Sequence, residues 1–341
     1  MPQKPLRIAI VGVNNQGIDH LEAILSLDGI ELVALCDTSP QLLKKTARDY
    51  NLGDLHLDTG LETTAQRDDI DALVIALPHH LHPFAVDQAV KGGKHLLKEK
   101  PIARNLLEAH QMARQMRQAG LVLHTGVQRR HHATYQFLAA ALQEHEVQSA
   151  SIEITIAVPP RDPEEASPLT WRDDFHLAGG GVLIDLGYHG VDLMHFLLGP
   201  LELLSCVTRY KGRPCASEEV DDDARLWAVA GSAWISMHFG RGTQKKESLI
   251  IDTDKGRFLA DRETVRFLPR TAADQFGPEE VLHKAERSWE KTLQEQFLTL
   301  QRTINSGDLS TNDIYEELPT MRFLEACYRR RDQGFFPAPR T

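Results

Sequence analysis

One stretch of the chain sets two carboxylates and an imidazole at helical spacing. Residues 179–192 read GGGVLIDLGYHGVD. In a helix, Asp185, His189 and Asp192 fall at i, i+4 and i+7, on one face. The other positions are largely apolar, and such a face is ill suited to a purely apolar core. An imidazole, with an unperturbed pKa of about 6.5, can give or take a proton near neutrality. A neighbouring carboxylate can orient its ring and stabilise its charged form. The glycines at the start permit close approach of other backbone. A capped, buried helix with one satisfied histidine uses the same residues, and that reading stays open. No Cys or Glu-His set accompanies the three residues, so no metal is expected there.

A second candidate is Glu99-Lys100-Pro101, which follows the apolar segment His95–Lys98. If that segment is a parallel strand, the turn lies at its C-terminal edge, where open α/β sheets bind ligands. Lys100 could then hydrogen-bond a substrate oxygen and stabilise charge on it. The alternative is a solvated lysine before a proline. His79, His80 and His82 follow another apolar run. Histidines this close together seldom all ligate one ion, and a polar loop is the simpler expectation.

The third candidate opens the chain. Leu6–Val11 runs into GVNNQG, residues 12–17, and a helical pattern follows. This is a G-x-G-x-x-G fingerprint with Asn14 in place of the middle glycine. Gly12 suits the tight turn, and Gly17 lets helix and strand pack closely. Asn tolerates the left-handed region better than most residues, so the turn could survive the replacement. Asp37 stands twenty residues after Gly17, where the second strand ends. A carboxylate there can accept both ribose hydroxyls of NAD and repels the 2′-phosphate of NADP. Thr38, Ser39 and Pro40 follow, with no arginine to hold that phosphate. The expected cofactor is NAD(H).

These residues need elements to hold them. In the first ~126 residues, short apolar strands (Leu6–Val11, Glu31–Cys36, Ala72–Leu77, His95–Lys98, Val122–Thr125) alternate with helical segments (Ile18–Leu27, Pro40–Tyr50, Pro83–Lys91, Leu106–Ala119). That rhythm predicts a parallel sheet covered on both faces, a Rossmann arrangement. After Gly126 the pattern becomes strand-rich: Ser151–Val158, Leu201–Tyr210, Ala224–Val229, Ser232–Phe239, Ser248–Asp252 and Val265–Leu268, around one helix, Val182–Leu198. A largely antiparallel sheet, open on one face, is expected. Helices near Ser288–Ile304 and Ile314–Arg330 close the chain. The expected division is 1–126 for the α/β dinucleotide domain and 127–341 for an α+β substrate-binding and oligomerisation domain, whose last helix can pack back on the first. Pro159–Pro168 reads as a lid or a plain connection, and the acidic run Glu218–Asp223 as a solvated edge.

Length and composition bound the remainder. A chain of 341 residues favours two domains, and a net charge of −10 with only short basic clusters argues against nucleic acid or an anionic membrane as partner. Cys36, Cys206, Cys215 and Cys327 form no C-x-x-C pair, which suits reduced thiols. The opening apolar run is too short for a signal peptide, and no segment has the ~20 apolar residues of a membrane helix. A cytoplasmic protein is expected.

Three segments together resemble the glucose–fructose oxidoreductase/inositol dehydrogenase (Gfo/Idh/MocA) family over nearly the whole chain. They are LRIAIVGVNNQGIDHLEAI, ALPHHLHPFAVDQAVKGGKHLLKEKPIA and WRDDFHLAGGGVLIDLGYHGVDLMHFLLG. The resemblance implies catalytic roles for Lys100, Asp185 and His189, with His189 the proton donor or acceptor. It places Gly12, Asn14, Gln16, Gly17, Asp37, Pro78, His79, Glu99, Lys100 and Gln128 toward the cofactor. Lys100, Arg129, Trp171, Arg172, Asp185, His189 and Asp192 fall toward the substrate. Asn14 stands where the family has glycine, and His79 where it often has Asn. The implied activity is NAD(H)-dependent hydride transfer to or from a secondary alcohol or ketone of a sugar, cyclitol or related polyhydroxylated molecule, in a homodimer or homotetramer. An NAD-using glycosidase and a non-catalytic dinucleotide-binding sensor are the alternatives that the same family contains.

Overall fold

The computed structural model describes residues 4–157, 170–242, 244–285, 289–307, 309 and 314–331. The Pro159–Pro168 segment lies outside them. The chain divides into two compact units, Met1–Gln128 with Ser288–Leu318, and Arg129–Arg287 with Pro319–Thr341.

The first unit alternates β1 (Leu6–Val11), α1 (Asn15–Leu25), β2 (Ile30–Cys36), α2 (Pro40–Asp49), β3 (His56–Asp58), α3 (Leu61–Ala65), β4 (Ala72–Ile75), α4 (His82–Gly92), β5 (His95–Lys98), α5 (Leu106–Gln118) and β6 (Leu123–Thr125). Its sheet runs in the order β3-β2-β1-β4-β5-β6, and every pairing is parallel. The strand order reverses between β1 and β4, which opens the crevice where doubly wound sheets take ligands. β4 and β6 are buried along their whole length, as a sheet covered on both faces requires. Helix starts follow local chemistry. Ser39 accepts from the Leu42 N–H with Pro40 at the first helical position, and Asn105 accepts from the Glu108 N–H.

The second unit holds α6 (Ala133–Leu142), β7 (Val147–Ala157), α7 (Phe175–Ala178), α8 (Val182–Leu198), β8 (Glu202–Tyr210), β9 (Arg213–Pro214), β10 (Asp223–Ala230), β11 (Ala233–Gly242), β12 (Lys246–Thr253), β13 (Gly256–Ala260), β14 (Thr264–Pro269) and β15 (Glu280–Lys284). Its sheet runs β15-β14-β13-β12-β7-β11-β10-β8-β9. Pairings are antiparallel apart from β7 with β11. α8 lies on this sheet through its glycines. A Cβ on Gly190 would sit 2.3 Å from the Phe239 ring, and one on Gly187 at 3.0 Å. Glycine costs about 1 kcal/mol inside a helix; here it permits the ring of a β11 residue to seat against the helix backbone.

β13 and β15 were not expected from the sequence. β13 is short, and β15 is an edge strand with Val281 and Leu282 exposed. Their apolar alternation is too brief to read locally, and pairing with β12 and β14 makes them strands. α9 (Trp289–Ser306) belongs to the first unit. Its Leu293, Phe297 and Leu300 join Ile8, Ile10, Leu35 and Val74 in one core. Gln296 donates to the Thr125 carbonyl at 2.8 Å. α10 (Ile314–Arg330) ends the described chain. Among the described residues no helix is long and apolar enough to cross a membrane.

Candidate functional site

The loop after β1 is built for close approach. Gly12 has φ +88°, and a Cβ there would lie 2.4 Å from the Ala76 carbonyl oxygen. A Cβ on Gly17 would lie 1.9 Å from the Gly12 oxygen. Neither position admits a side chain. Asn14 is extended, at φ −91° and ψ 175°, and it caps α1 without a side-chain bond. Position 14 therefore needs no left-handed residue in this turn. α1 carries no acidic residue in its first turn, which leaves its N-terminus suited to a phosphate. The Gln16 amide bonds Asp19 at 3.1 Å. Asp37 follows β2 and is drawn to the loop: its carboxylate accepts the Val13 N–H at 3.1 Å and the Ser39 N–H at 2.9 Å. Glycine cradle, open helix end and carboxylate together fit an NAD molecule.

At the end of β5, Glu99 is buried. Its Oε1 meets His20 Nε2 at 2.8 Å and accepts from Gln128 Nε2 at 3.0 Å. The structure thus brings Glu99 and Gln128 together as partners of each other. Sequence reasoning missed His20, whose signal was a lone histidine between apolar positions of α1. Its ring also meets Phe297 edge-on at 5.6 Å. Lys100 follows, half-buried, with a cis peptide to Pro101. Pro78 precedes a short 3-10 turn, His79–Leu81, in which the buried His79 ring lies 5.8 Å from that of His82.

In the second unit the organising residue is Asp221, which is 1% exposed. This corrects the expectation of a solvated acidic edge. Asp221 Oδ1 accepts from the Gly181 N–H at 3.0 Å and Oδ2 from the Leu183 N–H at 2.7 Å. The Asp221 carbonyl accepts from Val182 at 2.7 Å. The Tyr328 hydroxyl donates to Oδ1 at 2.9 Å and accepts from Gly181 and Ile184. A buried carboxylate therefore satisfies the first turn of α8, where the helix dipole favours negative charge. Burial nevertheless raises its pKa, against the pull of these hydrogen bonds. The glycines serve this cap: a Cβ on Gly181 would lie 2.0 Å from the Asp221 oxygen, and one on Gly180 2.1 Å from the Tyr328 hydroxyl.

On α8, Val182, Leu183, Ile184, Gly187, Tyr188, Gly190 and Val191 are buried, while Asp185 and His189 are half-buried. Asp185 accepts from Arg241 Nη2 at 3.1 Å. Asp192 is turned inward instead. Both its oxygens accept from Arg130, at 2.5–3.0 Å, and Thr320 lies at 3.5 Å. Arg129 is likewise buried: it bonds Glu247 through Nε at 2.9 Å and Nη2 at 2.8 Å. Tyr135 and Arg262 bond the same carboxylate. Trp171 and Arg172 share a 3-10 turn capped by Thr170 and Asp173, with the guanidinium 4.3 Å over the indole. Among the described residues no group of three His, Cys, Asp or Glu is placed to hold a metal ion.

Burial pushes the Glu247 carboxyl up, but Arg129 and Arg262 outweigh it and hold the pKa far below the usual range. A depressed carboxylate stabilises the fold above its unfolded pKa of about 4.3. That stability is lost as pH falls toward the folded value. Glu247→Gln should therefore cost about 3 kcal/mol at pH 7. Its melting temperature should also fall less steeply than the wild type's below about pH 4.5. Thermal melts across a pH series check both.

Residues 6–127 match the model of an oxidoreductase family with an NAD-binding Rossmann fold, and residues 146–259 match the GFO/IDH/MocA C-terminal domain. The 4-carboxy-2-hydroxymuconate-6-semialdehyde dehydrogenase of Sphingobium sp. (strain NBRC 103272 / SYK-6) is 28% identical over 151 residues, 42% of this chain and 47% of that protein. The 1,5-anhydro-D-fructose reductase of Ensifer adhaerens is 27% identical over 195 residues, 56% of each chain. The chain thus spans about half the length of the curated relatives it matches. The structure of a levoglucosan dehydrogenase in complex with NADH and L-sorbose superposes with a TM-score of 0.84 at 19% identity, covering 97% of this chain and 98% of that one. At that identity the likeness shows the fold. With both domains matched in order, and with the glycine cradle and Asp37 in place, the chain belongs to the Gfo/Idh/MocA oxidoreductase family, and its first domain is an NAD-binding Rossmann domain.

Proposed function

We propose that the protein is an NAD(H)-dependent oxidoreductase acting on a secondary alcohol or ketone of a sugar, cyclitol or related polyhydroxylated molecule. The observation that carries this is the pair Asp185 and His189, left half-accessible on a helix whose other positions are mostly buried. Bound NAD(H) supplies the hydride chemistry. In the oxidation direction His189 is assigned the removal of the hydroxyl proton, and the family resemblance assigns Lys100 the stabilisation of charge on the substrate. Asp185, engaged by Arg241, orients the imidazole and the substrate. Trp171 and Arg172 contribute to substrate binding. Asp192 and Arg129, committed to Arg130 and Glu247, act by positioning. A cytoplasmic setting suits the free thiols of Cys36, Cys206, Cys215 and Cys327.

The reading is tested by incubating the protein with NAD and a panel of sugars and cyclitols while following NADH formation. Turnover on at least one of them is expected. Tightly held cofactor with glycoside cleavage and no net NADH would support the glycosidase alternative.

Cofactor choice gives a separate check. Asp37 offers a carboxylate where NADP would carry its 2′-phosphate, so NADH should bind at least about tenfold more tightly than NADPH, about 1.4 kcal/mol. Fluorescence titration of both measures this. Equal or tighter NADPH binding would remove Asp37 from the ribose site.

The outer face of the second sheet supports self-association. Trp227, Ser236, Ser151, Ile250 and Leu259 are cross-strand neighbours in one row, all half-exposed, and Trp234 beside them is 65% exposed. We propose that this face pairs with a second copy of the chain. Light scattering should report a dimer or tetramer. A monomer that stays active at micromolar concentration would contradict it.

A further inference from the structure

Lys98 ends β5 and His82 begins α4, and both are fully buried. Lys98 Nζ donates to the Glu99 carbonyl at 2.9 Å and the Pro101 carbonyl at 2.8 Å, and stands 3.3 Å from His82 Nδ1. His82 Nε2 stands 3.1 Å from the Leu77 carbonyl. An ammonium only donates and a carbonyl only accepts. A neutral ring whose Nδ1 accepts from Lys98 and whose Nε2 donates to Leu77 satisfies both contacts. Burial first, then the Lys98 ammonium and His79, pushes the His82 pKa well below its ordinary value, in keeping with a neutral ring.

The path of these bonds matters because of what it joins. β4 and β5 are parallel neighbours, with Ile75 opposite Lys98. The segments that follow them leave the same edge of the sheet. One is Leu77-Pro78-His79 and the other is Glu99-Lys100-Pro101. A continuous series of polar contacts runs from the half-buried Leu77 carbonyl through the buried His82 and Lys98 to the carbonyls on either side of Lys100. A buried ammonium is a costly way to end an apolar strand. Ladder pairing does not demand it, since backbone groups make the β4–β5 bonds.

We infer that Lys98 and His82 are positioning residues, a strap that holds the Glu99–Pro101 turn and the Leu77–His79 segment in fixed relation and so presets Lys100. The inference deepens the oxidoreductase reading and rests on it for the role of Lys100. The strap itself is testable in the ligand-free protein.

The experiment is hydrogen exchange by mass spectrometry on the full chain, comparing wild type with Lys98→Met, His82→Leu and the double variant, alongside NADH titration of each. Lys98→Met keeps the volume and removes the donors. Exchange should rise about tenfold or more in residues 77–81 and 99–102 together, with β4 and β5 still protected. NADH should bind about 10-fold more weakly. His82→Leu should loosen both segments as well, although it lies in only one of them. The double variant should be no worse than the poorer single one, as for residues that act as a unit. If Lys98→Met does not fold, His82→Leu alone decides the matter. Loosening confined to the substituted residue's own segment, a uniform rise that includes β4 and β5, or additive effects would each overturn the strap. Failure of wild-type NADH binding would strike the oxidoreductase reading instead, and leaves the exchange result to decide the strap.

Discussion

Replacing His189 by alanine should lower turnover by about 10²–10⁴-fold, the usual weight of a positioned acid or base. NADH affinity should barely move, because Gly12, Gly17 and Asp37 lie in the other unit of the chain. Stability should change little as well, since His189 occupies a half-buried position of α8 while the buried side of that helix is left intact. Asp185→Asn should also impair turnover. Combined with His189→Ala it should add less than its own separate effect, as expected of groups that act together. Steady-state kinetics, melts and NADH titrations on the variants distinguish chemistry from folding. Near-normal turnover in a well-folded His189→Ala protein would move the proton-transfer role elsewhere.

The second large effect concerns the cap of α8. Asp221→Ala strips two backbone N–H groups and the Tyr328 hydroxyl of a buried charged acceptor. Hydrogen bonds to charged groups contribute about 1.5–3 kcal/mol each, and groups left unsatisfied cost more. The loss should reach about 3–5 kcal/mol, measured by denaturant unfolding. Tyr328→Phe removes only the hydroxyl and should cost about 1–2 kcal/mol. Because the cap sets the helix that carries Asp185 and His189, the surviving folded fraction of Asp221→Ala should also turn over more slowly. A cost under about 1 kcal/mol would mean that water replaces the carboxylate at the helix start.

Much of the fold was legible because its signals are local. The apolar run Leu6–Val11 and the pattern Val182–Leu198 mark β1 and α8 to the residue. The change from helix-separated strands to dense strands marks the change from a parallel to a mostly antiparallel sheet. Pairings at long range were not legible. His20 and Glu99 are 79 positions apart, and Gly181 and Asp221 are 40 apart. Spacing shows which residue types share a face, but not which of them the fold covers. Asp185, His189 and Asp192 share a stripe, yet Asp192 is covered by Arg130. Asp221 sits in the acidic run Glu218–Asp223, whose composition suggests solvent. Only the packing of Tyr328 and the Gly180–Gly181 turn shows why this carboxylate alone is drawn inside. Lys98 was hidden in the same way, since HLLK reads as a strand that ends at the surface.

The proposed hydride transfer between nicotinamide and a carbinol carbon can be followed with an isotope. The most direct measurement supplies NADH carrying two deuteriums at C4 of the nicotinamide together with a panel of keto-sugars and keto-cyclitols, and examines the products by mass spectrometry. One deuterium on the new carbinol carbon is expected for each NADH consumed, with loss of that transfer in His189→Ala. Tight NADH binding with no deuterium transferred to any member of the panel, in wild type and variant alike, would contradict it and favour a dinucleotide-binding sensor.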